Sequence, residues 1–198
     1  MSQVTHEPGI TVTGASVASI VEAIQSFTVL VSALLDVMKV PARGAGAERA
    51  IDVTAWYPLE DYLQAYRKID SLLGGRGLEK VGSMIPKNAV FPANITDIHQ
   101  GLASIDVAFH MNHRKNGRSM FNPLTGEMTD GIGHYSYSAV PGKNEGHVVC
   151  GNPYPCRFDQ GLIKGMAQRF MPHAVVTHDP NQGCRQKGGA SCTFVVTW

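Results

Sequence analysis

The sequence predicts an α+β fold, with helices packed on an antiparallel sheet. Apolar residues recur at helical spacing through most of the first hundred and ten positions. Short alternating runs punctuated by Gly and Pro concentrate after position 130. Helices first and strands last is an α+β order. At 198 residues the chain is the size of one ordinary domain, and 43% hydrophobic content supplies a core and excludes a disordered chain.

The elements follow in order. Residues 1–13 form a polar arm with weak strand character. From Ser16 to Met38, Val17, Ile20, Val21, Ile24, Phe27, Val31, Leu34, Leu35 and Met38 follow one helical face, while Val29, Leu30 and Val37 fall on another. A helix apolar on more than one face is central or shared with a second chain, so a homodimer contact is expected here. Pro41 and the linker RGAGAERA end it. The chain then divides into residues 1–45, an arm and apolar helix, and residues 46–198, the ligand-binding part. Ala50–Ala55 is a short apolar segment with strand character. A second helix starts near Pro58 and carries Leu59, Tyr62, Leu63, Tyr66, Ile69 and Leu73. Gly74, Gly75 and Gly77 stop it, and residues 78–92 resist assignment.

A third helix starts at Asn94, with Asp97 as capping partner and Ile95, Ile98, Leu102, Ile105 and Phe109 as its stripe. Asp106, His110 and His113 lie one turn apart on its polar face, beside the basic run ArgLysAsnGlyArg, which would repel a cation. Residues 133–140 and 146–151 read as a hairpin. Asp159 caps a fourth helix with Leu162, Ile163, Met166 and Phe170 inward. Ala174–Thr177 and Cys192–Trp198 are the last strands.

A net charge of +1 with scattered basic residues gives no footprint for nucleic acid or an anionic membrane. The start, MSQVTHEPG, has no signal-peptide pattern, and Glu22, Gln25 and Asp36 interrupt the longest apolar stretch. Four cysteines in this length are no disulfide scaffold. The expectation is a soluble cytoplasmic protein with reduced thiols and no membrane or nucleic-acid partner. Neither a Gly-x-Ser-x-Gly, a phosphate loop, a His-Glu-x-x-His nor a nicotinamide or flavin fingerprint occurs, so catalysis is not expected.

The cysteines carry the clearest chemistry. Cys184 and Cys192 flank the turn RQKGGAS, and Cys156 precedes the helix leading back to it. Thiolates converging from a loop suit zinc; buried thiols packing as small hydrophobes is the competing reading. His99 adjoins an apolar stripe and is a candidate to hydrogen-bond a ligand, with Trp56, Phe109, Tyr135, Tyr137 and Phe170 as candidate lining.

Cys156, the helix GLIKGM and the Cys184-x7-Cys192 pair with Gly188 and Gly189 inside resemble the V4R (4-vinyl reductase) domain over about residues 150–198. The resemblance implies the mixed fold shared by V4R domains, heme–nitric-oxide domains and Golgi transport-complex (TRAPP) subunits. It also implies a hydrophobic small-molecule sensor, a dimer, output through an effector protein, and zinc on Cys156, Cys184 and Cys192. The Glu that family uses as fourth ligand is absent from GIGHYSYS, leaving His134 and Cys150 as candidates.

ThrAspIleHis at 96–99, HisTyrSerTyrSer at 134–138 and GLIKGMAQRF at 161–170 also resemble a heme–nitric-oxide domain. That implies a heme sensor with His99 as axial ligand and Tyr135 opening a Y-x-S-x-R motif. Tyr137 and Ala139 stand where the motif has Ser and Arg.

Overall fold

The computed structural model describes residues 6–41, 49–88 and 91–198. Among the described residues there are two four-stranded antiparallel sheets and five α-helices. The first sheet has the order β2-β1-β3-β4, from β1 (Ile10–Thr13), β2 (Trp56–Pro58), β3 (His113–Lys115) and β4 (Arg118–Ser119). The second has the order β5-β6-β8-β7, from β5 (His134–Ala139), β6 (Glu145–Gly151), β7 (Val175–His178) and β8 (Cys192–Thr197). The α+β expectation holds, and the β5–β6 hairpin pairs His134 with Gly151 through Ala139 with Gly146.

The first apolar helix is two. Helix α1 (Gly14–Ile24) starts on Thr13, whose hydroxyl accepts from the Ser16 N–H, and α2 (Thr28–Val37) follows a break at Gln25–Phe27. The break answers the apolar pattern on two faces: each short helix turns its own stripe inward. Val17, Ile20, Leu34 and Leu35 are buried, while Phe27 and Val29 stay exposed. The boundary at 45/46 and most of the RGAGAERA linker lie outside the described residues. The parts on either side share one apolar core, which runs from Ile10 to Val196.

Helix α3 (Leu59–Asn88) continues past the glycines expected to end it. Gly74 (φ 65°, ψ −172°) kinks it, and Pro86 lies inside its last turn. Packing explains the continuation. A Cβ on Gly82 would lie 2.1 Å from the Phe158 carbonyl oxygen, and one on Gly161 2.0 Å from that of Glu79. The backbones of α3 and α5 (Cys156–Phe170) therefore touch along a glycine seam, and tertiary contact overrides propensity. Helix α4 (Ile98–Met111) begins later than expected, with Asp97 itself as the N-cap accepting from the Gln100 N–H. Asp159 does not cap α5. Pro155 occupies that place, and the Asp159 carboxylate points into the core. No helix of the described residues is long and apolar enough to cross a membrane.

Candidate functional site: a cysteine–histidine cluster beside a buried ion pair

The segment AsnProTyrProCys, extended by its prolines, leads from β6 into α5 and places Cys156 in the first helical turn. Strand β7 ends on His178. A 3₁₀ turn over Arg185–Lys187 follows Cys184, and the chain reverses through Gly188 at φ 88°, a conformation that favours glycine. The Lys187 and Gly189 N–H groups both donate to the Cys184 carbonyl at 2.8 and 2.9 Å. Strand β8 then opens on Cys192. Four ligand atoms, from Cys156, His178, Cys184 and Cys192, lie within 4.8 Å of one another. The Cys184 and Cys192 sulfurs are 3.9 Å apart, and all four cysteines are free thiols.

His178 has the posture of a metal ligand. Its Nδ1 donates to the Asp179 carbonyl at 3.1 Å, leaving the lone pair on Nε2, which is buried without a hydrogen-bond partner. Histidine ligands characteristically anchor one ring nitrogen on a carbonyl and present the other to the metal. One sulfur of the cluster, that of Cys192, carries thiolate character. The Cys192 thiol is pushed down to about 4, first by a hydrogen bond from Cys156, whose own pKa rises in exchange. The Arg185 backbone N–H also donates to the Cys192 sulfur at 3.3 Å.

Beneath the cluster lies a buried ion pair. The Arg185 guanidinium contacts the Asp159 carboxylate and the Asn152 carbonyl. It also donates to the Asn152 side chain at 2.9 Å and to the Tyr154 carbonyl at 2.8 Å. The Tyr135 hydroxyl donates to Asp159 at 2.6 Å. Burial pushes Asp159 up to about 6 even beside Arg185.

The expected triad of Cys156, Cys184 and Cys192 therefore comes together, but neither candidate for the fourth position joins it. Cys150 is buried on β6 opposite Cys192 in the strand register, outside the cluster. His134 opens β5 and hydrogen-bonds Asp106 at 3.0 Å. The signal for His178 was its place in His178-x5-Cys184-x7-Cys192, which reading Thr177 as the strand end concealed.

The candidate ligand residues scatter. His99 is exposed; its Nδ1 hydrogen-bonds the Tyr137 hydroxyl at 2.6 Å, and its ring stands edge-on to Trp198. Trp56 lies under the Arg114 guanidinium at 4.0 Å. Tyr135 serves Asp159, and Phe170 packs on Gly101. Only Phe109 lines the apolar cavity between α1, α3, α4 and α5, together with Tyr62, Ile105, His113, Tyr154 and Phe158 among others. Its volume is about 40 Å³. Sequence reasoning put His113 on a polar helix face, but it is buried, and its Nδ1 donates to the Phe109 carbonyl at 2.6 Å. Its bare Nε2 accepts from the Tyr154 hydroxyl at 2.7 Å. Burial lowers His113 to about 4.

No protein-family model and no curated protein matches the chain. Solved structures do. An H-NOX protein from S. oneidensis in the Fe(II)NO ligation state has a TM-score of 0.63 at 14% identity, over 93% of this chain and 97% of that one. A variant of the T. Tengcongensis H-NOX has 0.58 at 14%, over 92% and 94%. A structure described by heme redox potential and porphyrin distortion has 0.57 at 13%, over 94% and 99%. The fold is that of H-NOX domains. At these identities the likeness concerns architecture, and it spans nearly the whole chain.

His113 sets a pH dependence. The folded protein keeps it neutral down to about pH 4, whereas the unfolded chain protonates it near 6.5. The unfolded state thus binds more protons between these values, and stability falls as pH drops through that window. The expected loss is roughly 3 kcal/mol at about 1.4 kcal/mol per unit. Urea unfolding from pH 7 to pH 4 should show it, and the His113→Gln variant should show a flatter slope.

Proposed function

We propose that this chain is a ligand-sensing regulatory module of H-NOX architecture, whose C-terminal half is braced by a zinc ion on Cys156, His178, Cys184 and Cys192. The observation that carries the brace is the cluster with its orphaned His178 Nε2. Three thiolates and one imidazole are a closed structural set for zinc, with no position left for substrate. The four residues come from α5, β7, the turn and β8, so a bound ion ties the edge of the second sheet to the helix that packs under it. Output would pass through an effector protein, the reading expected from sequence.

The sensing half is supported by the fold and by the apolar cavity. Ser16, Asn112, His113 and Tyr154 stand among its otherwise apolar lining, a composition seen in small ligand sites. The hydrophobic small molecule expected from sequence would require this cavity to widen beyond its volume of about 40 Å³.

The similar structures favour a second reading, heme, because their descriptions name heme and Fe(II) ligation. When bound, heme would supply an iron for gas ligands or electrons. The residues as packed do not accommodate it. About 40 Å³ compares with the roughly 300 Å³ or more of ordinary ligand pockets. Both nitrogens of His113 are engaged, and His99 lies outside on the surface. At Ala139, no guanidinium is available for a carboxylate.

Two measurements check these readings. Elemental analysis of untagged protein should find about one zinc per chain, reduced in the Cys192→Ser and His178→Ala variants. Chelation should lower the Tm by about 10 °C or more, since structural zinc contributes several kcal/mol at roughly 2–4 °C each. Zinc content indifferent to both substitutions contradicts the brace. Separately, hemin added to the purified chain should give no stoichiometric Soret band. One heme per chain, lost in His99→Ala, would establish the heme reading as expected from sequence, and loss in His113→Ala instead would establish it with the aromatic cavity opened.

A further inference from the structure

A second group of metal-binding side chains lies away from the cysteines, where α4 meets β5. Asp106 and His110 stand one helical turn apart on α4, and His134 is the first residue of β5. Their ligand atoms lie within 4.8 Å of one another. The rings of His110 and His134 face each other at 4.9 Å with a 30° tilt.

Each donor is already oriented. The Tyr135 N–H donates to Asp106 Oδ1 at 2.9 Å and fixes that carboxylate, while Oδ2 receives His134 Nδ1 at 3.0 Å. His134 Nε2 lies 3.3 Å from Asp130 Oδ1. His110 is fully buried, and its Nδ1 donates to the Asp106 carbonyl at 2.9 Å. That bond leaves the lone pair on Nε2, which has no hydrogen-bond partner. A buried bare imidazole nitrogen is costly unless something occupies it.

The basic run after α4 does not oppose a cation here. Lys115 reaches the Asp130 carbonyl at 3.2 Å, but its ammonium is paired with Glu7 at 2.6 Å. The local balance is two carboxylates around two imidazoles.

We propose that Asp106, His110 and His134 form a second metal site, for a first-row divalent cation, with the Asp130 carboxylate beside it. Two imidazoles and one carboxylate suit such ions and leave coordination positions for water. Metal–ligand bonds of about 2.0–2.2 Å require the donors to close to roughly 3–3.5 Å. The ion would replace the His134–Asp106 hydrogen bond and satisfy the buried imidazole. The proposal is independent of the cysteine site, whose donors are sulfur-rich.

Cobalt(II) tests it on the full chain as purified. Equilibrium dialysis and absorption should show one Co²⁺ per chain bound with weak d–d bands and no thiolate-to-cobalt charge transfer. Affinity should fall about tenfold or more in His134→Ala and in Asp106→Asn. His134 is part-exposed, so its replacement tests binding without disrupting the core. Thiolate charge transfer from any further Co²⁺ reports the cysteine cluster separately. The proposal is overturned if no Co²⁺ binds without charge transfer, or if that binding is unchanged in His134→Ala.

Discussion

The ion pair of Asp159 and Arg185 is the constraint on which the C-terminal half depends. Both side chains are buried, so each must keep the other: removing one partner of such a pair costs about 3–5 kcal/mol. Arg185 follows Cys184 directly, and its guanidinium binds the carbonyls of Asn152 and Tyr154 on the segment that delivers Cys156. Asp159 lies one turn after Cys156 and also receives the Tyr135 hydroxyl. One charge pair thus fixes the cysteine turn, the start of α5 and strand β5 relative to one another. The sulfurs and His178 converge because this network sets their backbones. The glycine seam between α3 and α5 then holds that assembly against the N-terminal helices.

The structure separates two kinds of chemistry. The soft cluster on Cys156, His178, Cys184 and Cys192 lies at the sheet edge above the ion pair. The aromatic cavity is lined by Phe109, Tyr154 and Phe158, with His113 neutral at its wall. Tyr154 connects them: its carbonyl binds Arg185 and its hydroxyl binds His113. A molecule entering the cavity would press on the segment that positions Cys156. Packed side chains and hydrogen bonds thus join the cavity to the half that carries the cysteine cluster.

Sequence alone made much of this legible. The stripe of α4, the β5–β6 hairpin and the Cys184-x7-Cys192 turn each depend on neighbours in sequence, and each was readable. What stayed hidden depends on contacts between distant segments. Gly82 and Gly161 carry no local signal of their role, yet they are where two backbones meet. Asp159 looked like a cap because it stands near a helix start; its partner Arg185 is 26 positions away. His178 lies in the strand-to-turn passage before Cys184, and only the fold turns its ring toward the sulfurs. His99, singled out for its place beside an apolar stripe, faces outward, whereas His113, which opens β3 just past the other end of that helix, is enclosed.

Zinc K-edge X-ray absorption on protein carrying one zinc per chain tests the central claim most directly. The Cys156–His178–Cys184–Cys192 set predicts three sulfur neighbours near about 2.3 Å and one nitrogen near about 2.0 Å. Loss of the nitrogen shell in His178→Ala should accompany the result. Four sulfurs, or a shell of nitrogen and oxygen alone, would contradict it.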